Sequence, residues 1–105
     1  MFVAQRRLMA KLNDIVKFLN KELKIRKIKD SSKNGLQFKA GKEINKAGFA
    51  VDACLSTFEK AAKAGCDLLV VHHGLLWKKK RGWLLLKQRM RFLKKHKISL
   101  YAAHL

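Results

Sequence analysis

The segment that most restricts the fold is Cys66-Asp67-Leu68-Leu69-Val70-Val71, which runs directly into His72-His73-Gly74. A continuous apolar stretch rich in branched residues is the pattern of a strand covered on both faces, as in a parallel sheet flanked by helices. The flanking sequence supplies those helices. Ser56-Thr57-Phe58-Glu59 matches a capping box, in which the Ser hydroxyl and the Glu carboxylate satisfy free backbone donors at a helix start. That helix is expected to run to Ala64, with Gly65 as its left-handed stop. Before it, Ile44–Ala53 reads as a strand with a buried section at Gly48–Val51. After it, Leu84 to Lys95 reads as a very basic amphipathic helix, and Ile98–Ala103 as a further strand ending at His104. Strand and helix alternate, which predicts an α/β fold: a mostly parallel or mixed sheet with covering helices.

The N-terminal third is less regular. Asn13 is placed to cap a helix through Leu23, with Ile15, Val16, Phe18, Leu19 and Leu23 on one broad apolar face. The polar stretch Asp30–Gly35 reads as a loop, Leu36-Gln37-Phe38 as a short strand and Gly41 as a turn. Met9 offers a second start, which makes residues 1–8 either an extension or a start-site artefact. The expected organisation is therefore an N-terminal extension over 1–8 and a single α/β lobe over 9–105.

The 105 residues carry 25 Lys and Arg against 7 Asp and Glu, a formal charge of +18. A field of that sign attracts polyanions, and phosphate backbones are the commonest of these. The basic residues are spread along the chain, and no familiar nucleic-acid motif accompanies them. The densest run is Lys78-Lys79-Lys80-Arg81, flanked by Trp77 and Trp83. It is a candidate contact for an anion or a nucleic acid, since aromatic rings among cations can stack on bases; packing of the rings on the sheet edge is the plainer alternative. Cys54 and Cys66 form no disulfide framework and no CxxC pair, and are read as buried free thiols. No segment reaches the roughly 20 apolar residues of a membrane span. The N-terminus lacks the apolar core of a signal peptide, so a cytoplasmic location is expected.

Functional groups of open α/β sheets gather at the carboxyl ends of the strands. His72 and His73 sit there on one predicted strand and His104 on the next. A lone His in such a place is more often a hydrogen-bonded structural residue, but three at two strand ends are a candidate metal site. Neighbouring strand residues point to opposite faces. Either the strand bends at Gly74, or each His serves a different ion of a two-metal centre, whose ions lie about 3.5–4 Å apart. Imidazole suits Zn, Fe, Mn and Ni alike. Carboxylates are scarce: Asp52 ends the preceding strand and can reach the same edge, whereas Asp67 opens its strand and belongs at the other end. His96 lies at the polar end of a helix and is expected in solvent.

The run Asp67–Lys78, with His72-His73-Gly74 and Trp77 inside it, resembles the signature of the Nif-three-like family, whose members are named GTP cyclohydrolase 1 type 2 homologues or dinuclear metal centre proteins. Leu12-Asn13-Asp14-Ile15, Asn34-Gly35-Leu36-Gln37 and Ser99–His104 are similar to three further segments of that family, so the resemblance covers 9–105. It implies that His72, His73 and His104 are ligands of divalent metal ions, two per complete site. It also implies homo-oligomers, either dimers or hexameric rings. An Asp four residues beyond the third His, and a His and a Glu from a second half, complete the family's site and are absent from this sequence. A second chain supplying the missing half is one expectation. Three functional readings follow: a dinuclear-metal-dependent hydrolase acting on a nucleotide or similar anionic substrate, a DNA- or other nucleic-acid-binding protein using its basic surface, and an inactive truncated remnant.

Overall fold

The computed structural model describes residues 1–27, 33–75 and 82–104. Trp77 and the basic run Lys78–Arg81 lie outside the described residues. The elements in order are β1 (Phe2–Lys11), α1 (Leu12–Glu22), a short 3-10 turn (Ile25–Lys27), β2 (Gly35–Phe38), β3 (Glu43–Asp52), α2 (Leu55–Lys63), β4 (Leu68–His73), α3 (Trp83–Lys95) and β5 (Ser99–Ala102). The strands form one five-stranded sheet in the order β1-β3-β4-β5-β2. The inner three are parallel, and β1 and β2 close the two edges antiparallel. The expected α/β architecture is thus present, in its mixed form. No helix among the described residues is long and apolar enough to cross a membrane.

The apolar run of β4 behaves as its composition requires. Leu69 and Val71 join Phe58 and Ala61 of α2 and Leu93 of α3 in one buried cluster. Leu68 joins Leu12 and Tyr101 in a second, against which Ile15, Val16 and Leu19 of α1 pack. Alternate side chains of one strand therefore meet helices on opposite sides of the sheet, and the central strand is covered on both faces. Asp67, just before β4, sits at the amino end as expected. Its carboxylate accepts from the backbone N–H groups of Asn45 (3.0 Å) and Lys46 (3.0 Å), tying the start of β4 to the start of β3. The one buried polar side chain of β5, Ser99, has its hydroxyl oxygen satisfied by the Ala40 N–H at 2.9 Å.

Several local expectations are corrected. Residues 2–11, to which no element is assigned from the sequence, are a ten-residue strand, β1. Its pairing with β3 shifts register between Gln5 and Ala10, and this irregularity hides the two-residue period. Helix α1 starts at Leu12, directly after β1, so Asn13 lies inside the first turn and does not cap it. Phe18 is exposed, not on the packed face. Only half of Gly48–Val51 is covered: Gly48 is buried, but Val51 is 59% exposed and Phe49 37% exposed beside Phe2. The N-cap of α2 is Cys54, not Ser56. Ser56 turns its hydroxyl to the Cys54 thiol instead of serving as the cap. The stop at Gly65 is as expected, with φ at +76°.

Leu69→Ala opens a cavity in the two-helix side of the core and is expected to cost about 2–5 kcal/mol. Val51→Ala, on the open part of the sheet, is expected to cost less than about 1 kcal/mol. Urea unfolding followed by circular dichroism separates the two; equal losses would contradict this placement of the core.

Candidate metal centre

Three parallel strands ending at one sheet edge place the histidines. His72 and His73 are the last two residues of β4, and His104 lies two residues beyond β5. The ring centroids are 4.5 Å apart for His72–His73, 4.6 Å for His72–His104 and 5.2 Å for His73–His104. One nitrogen from each ring falls within 4.8 Å of the others. The rule that strand neighbours diverge is therefore relaxed here. The strand ends at His73, and both imidazoles reach past the edge to converge.

Each ring of the His72-His73 pair is oriented through Nδ1. His72 Nδ1 lies 3.2 Å from the Ala103 carbonyl oxygen, and His73 Nδ1 2.7 Å from Asp52 Oδ1. A carbonyl and a carboxylate only accept, so in the neutral rings Nδ1 carries the proton and donates. The Nε2 lone pair is then the one left for a cation, the arrangement usual for metal-ligating His. Asp52 arrives by register: it is the strand partner of His73 in the parallel β3–β4 pair. Its carboxylate is 64% exposed and the imidazole 41%. At that exposure the pair contributes little to stability, and its effect is orientation.

The segment Asn34–Gln37 holds the same edge from the other side. Asn34 Oδ1 accepts from the His104 backbone N–H at 2.6 Å. Gln37 Oε1 accepts from the Leu75 N–H at 2.7 Å, while its amide nitrogen donates to the Lys33 carbonyl at 2.6 Å. Gly74, between the His pair and Leu75, lies so close to this amide that a Cβ there would overlap it and stand 2.6 Å from the Ala102 Cβ. In the sequence Asn34 and Gln37 stand out only as parts of a motif, and Gly74 also as a possible bend. Their tasks appear once β2 is seen to lie beside β5.

Of the remaining candidates, Asp67 lies at the opposite end of the sheet and His96 is exposed beside Phe92. Cys66 is buried as expected, and burial pushes its thiol pKa up. Cys54 is not buried as expected. It is partly exposed, with Ser56 Oγ at 3.3 Å and Thr57 Oγ1 at 3.2 Å from its sulfur. Hydrogen bonds from those hydroxyls to the thiolate, and one from the Thr57 backbone, bring its pKa down from 9.0 to about 7. Cys54 shares a shallow cleft with Asp52, His73 and Arg89, a residue the sequence did not single out. The Arg89 guanidinium sits 3.5 Å from the Ala53 carbonyl oxygen.

Fold and site together define an α/β lobe whose parallel strands deliver a histidine cluster to one sheet edge. The family profile described as Duf34/NIF3 (NGG1p interacting factor 3) matches residues 10–105, and the chain belongs to that family. It is 44% identical over 96 residues to the GTP cyclohydrolase 1 type 2 homolog of Archaeoglobus fulgidus, an alignment covering 90% of this chain and 39% of that protein. The protein of the same name from Pyrococcus horikoshii is also 44% identical over 96 residues, covering 89% of this chain and 38% of its own length. Among solved structures, TTHA1606 from Thermus thermophilus superposes with a TM-score of 0.86 at 39% identity, covering 91% of this chain and 40% of that one. Reduced HcgD from Methanocaldococcus jannaschii does so with a TM-score of 0.80 at 31% identity, covering 93% of this chain and 41% of that one. The chain thus spans about two-fifths of the length of the relatives it matches.

Two outcomes test this geometry. Gly74→Ala drives a methyl group into Gln37 and Ala102 and is expected to lower stability by about 1–3 kcal/mol, read from the urea midpoint. Cys54 becomes nucleophilic as its thiolate forms. Its iodoacetamide alkylation rate should therefore rise through a midpoint near pH 7, against 9.0 for an ordinary thiol. Ser56→Ala with Thr57→Val removes the hydroxyl donors and should move that midpoint upward, as mass spectrometry of the labelled peptide would register.

Proposed function

We propose that this chain is the histidine-bearing lobe of a metal-dependent hydrolase centre that acts on a nucleotide or a similar anionic substrate. The observation that carries the reading is the convergence of three imidazoles within 4.8 Å, with Nδ1 of His72 and of His73 each held by an acceptor. Such a donor set fits a borderline divalent ion such as Zn, Fe, Mn or Ni. His72, His73 and His104 would hold it, Asp52 and the Ala103 carbonyl would aim the rings, and Asn34 would keep His104 at the edge. A bound divalent ion supplies Lewis acidity for hydrolysis. The names of the Archaeoglobus and Pyrococcus relatives, GTP cyclohydrolase 1 type 2 homolog, support a nucleotide as the substrate class. The formal charge of +18 supports an anionic one. Three imidazoles are too few ligands for two ions. A complete centre draws its further ligands from a second lobe, in the same or another polypeptide.

Metal titration of the purified chain by calorimetry, with elemental analysis, tests this reading. Saturable binding of a divalent ion is expected, abolished by His72→Ala and by His104→Ala. Asp52→Ala is expected to weaken it by roughly 10–100-fold, because His73 loses the group that orients it. Binding that survives both His substitutions would place the ion elsewhere and overturn the reading.

A further inference from the structure

A second concave surface, lined by none of the three histidines, lies between the end of α1, the Ile25–Lys27 turn and the start of β2. It encloses about 630 Å3. Five cations line it: Lys17, Lys21, Lys24, Arg26 and Lys27. Val16, Ile25 and Leu36 form its half-buried apolar wall. Among the described residues, no carboxylate lines the cleft or pairs with these cations.

Two features set this apart from an ordinary solvated lysine face. The first is spacing. Lys17, Lys21 and Lys24 fall four and three residues apart and share one side of α1 and its C-terminal turn. Like charges at that spacing weaken a helix, and Lys24 adds a left-handed backbone at φ 51° that a non-glycine residue rarely adopts. The second is the orientation of the two amides on the lining. Tyr101 donates its hydroxyl to Asn20 Oδ1 at 2.8 Å, and the His104 N–H donates to Asn34 Oδ1 at 2.6 Å. Both amide oxygens are thus engaged by the protein, and the NH2 groups are what each amide has left to offer. The side chains of the cleft present donors and positive charge beside an apolar wall. That is complementary to phosphate oxygens attached to a flat, weakly polar ring.

We propose that this cleft binds a nucleotide unit, free or within a single nucleic-acid strand, with its phosphates on the α1 lysines and the base against Val16, Ile25 and Leu36. The site is separate from the histidine cluster and does not depend on metal. Asn34 belongs to both, since its oxygen accepts from the His104 N–H and the residue lines the cleft.

The test uses the full chain and fluorescence anisotropy of a labelled oligothymidylate, with ATP as competitor. The Lys17→Gln/Lys21→Gln variant keeps good helix formers in α1. A charge-matched control, Lys94→Gln/Lys95→Gln, alters exposed lysines at the end of α3. The α1 pair is expected to weaken binding at least about ten-fold and to flatten the salt dependence by about two phosphate contacts. The α3 pair should change affinity less than about two-fold. Competition by ATP at a stoichiometry of one identifies a free nucleotide as the source, and binding of the oligonucleotide alone identifies a strand. Equal losses from the two pairs would show that net charge is responsible and overturn the site. So would unchanged affinity in the α1 pair, or a loss seen only in sedimentation with phosphatidylserine vesicles.

Discussion

The parallel pairing of β3, β4 and β5 is the constraint on which the rest depends. Parallel neighbours bring their carboxyl ends to the same edge, so residues distant in the chain become adjacent without any loop reaching for them. Asp52 meets His73 because the two are register partners. Val71 pairs with Ala102, which brings His72 and the Ala103–His104 segment to the same level of the sheet. The pairing itself is stabilised by burial on both faces, with Leu69 and Val71 under α2 and α3, and Leu68 and Tyr101 under α1. A one-residue slip of β4 would exchange these two sets and send the histidines to the wrong sides. Core packing and site geometry are therefore one requirement.

The edge is finished by small, specific contacts of long sequence separation. The Ala103 carbonyl aims His72, Asp52 aims His73, and Asn34 and Gln37 hold His104 and Leu75 across the β2 side. Gly74 permits β2 to come this close, because any side chain there meets Gln37 and Ala102. For the proposed cation site, Nδ1 anchoring of His72 and His73 leaves the Nε2 lone pairs of these two rings available. Membership of the Duf34/NIF3 family is consistent with that arrangement, and the matched residues 10–105 include every part of it.

Charge follows the same logic of placement. The chain has 7 acids against 25 Lys and Arg. Two of the acids have structural tasks: Asp67 binds the backbone at the amino end of β3, and Asp52 orients an imidazole. The lysines of α1 are left facing a concave surface without carboxylates among the described residues. Five of the 25 cations line that one cleft: Lys17 and Lys21 of α1, and Lys24, Arg26 and Lys27 just after it.

Much of the fold was legible because it rests on local pattern. The unbroken apolar run of β4 required two covering layers, Gly65 marked a helix end, and the strand–helix alternation implied parallel strands. The positions of His72, His73 and His104 at strand ends followed from the same reading, as did the separation of Asp67 from them. What was not legible depended on partners far away. The strand β1 is made by pairing with β3, and its irregular register conceals the alternation that would have announced it. The exposure of Phe49 and Val51 depends on which elements cover β3, which no residue in β3 records. Cys54 looked like a buried thiol because its neighbours are apolar, yet Ser56 and Thr57 turn toward it once α2 forms. Sequence alone thus determined which residues stand at the ends of which strands, since side-chain period and turn chemistry are local. Only the tertiary structure decided that two adjacent histidines converge, that Asp52 orients one of them, and that Asn34 steadies the third, because hydrogen bonds between strands exist only after register is set.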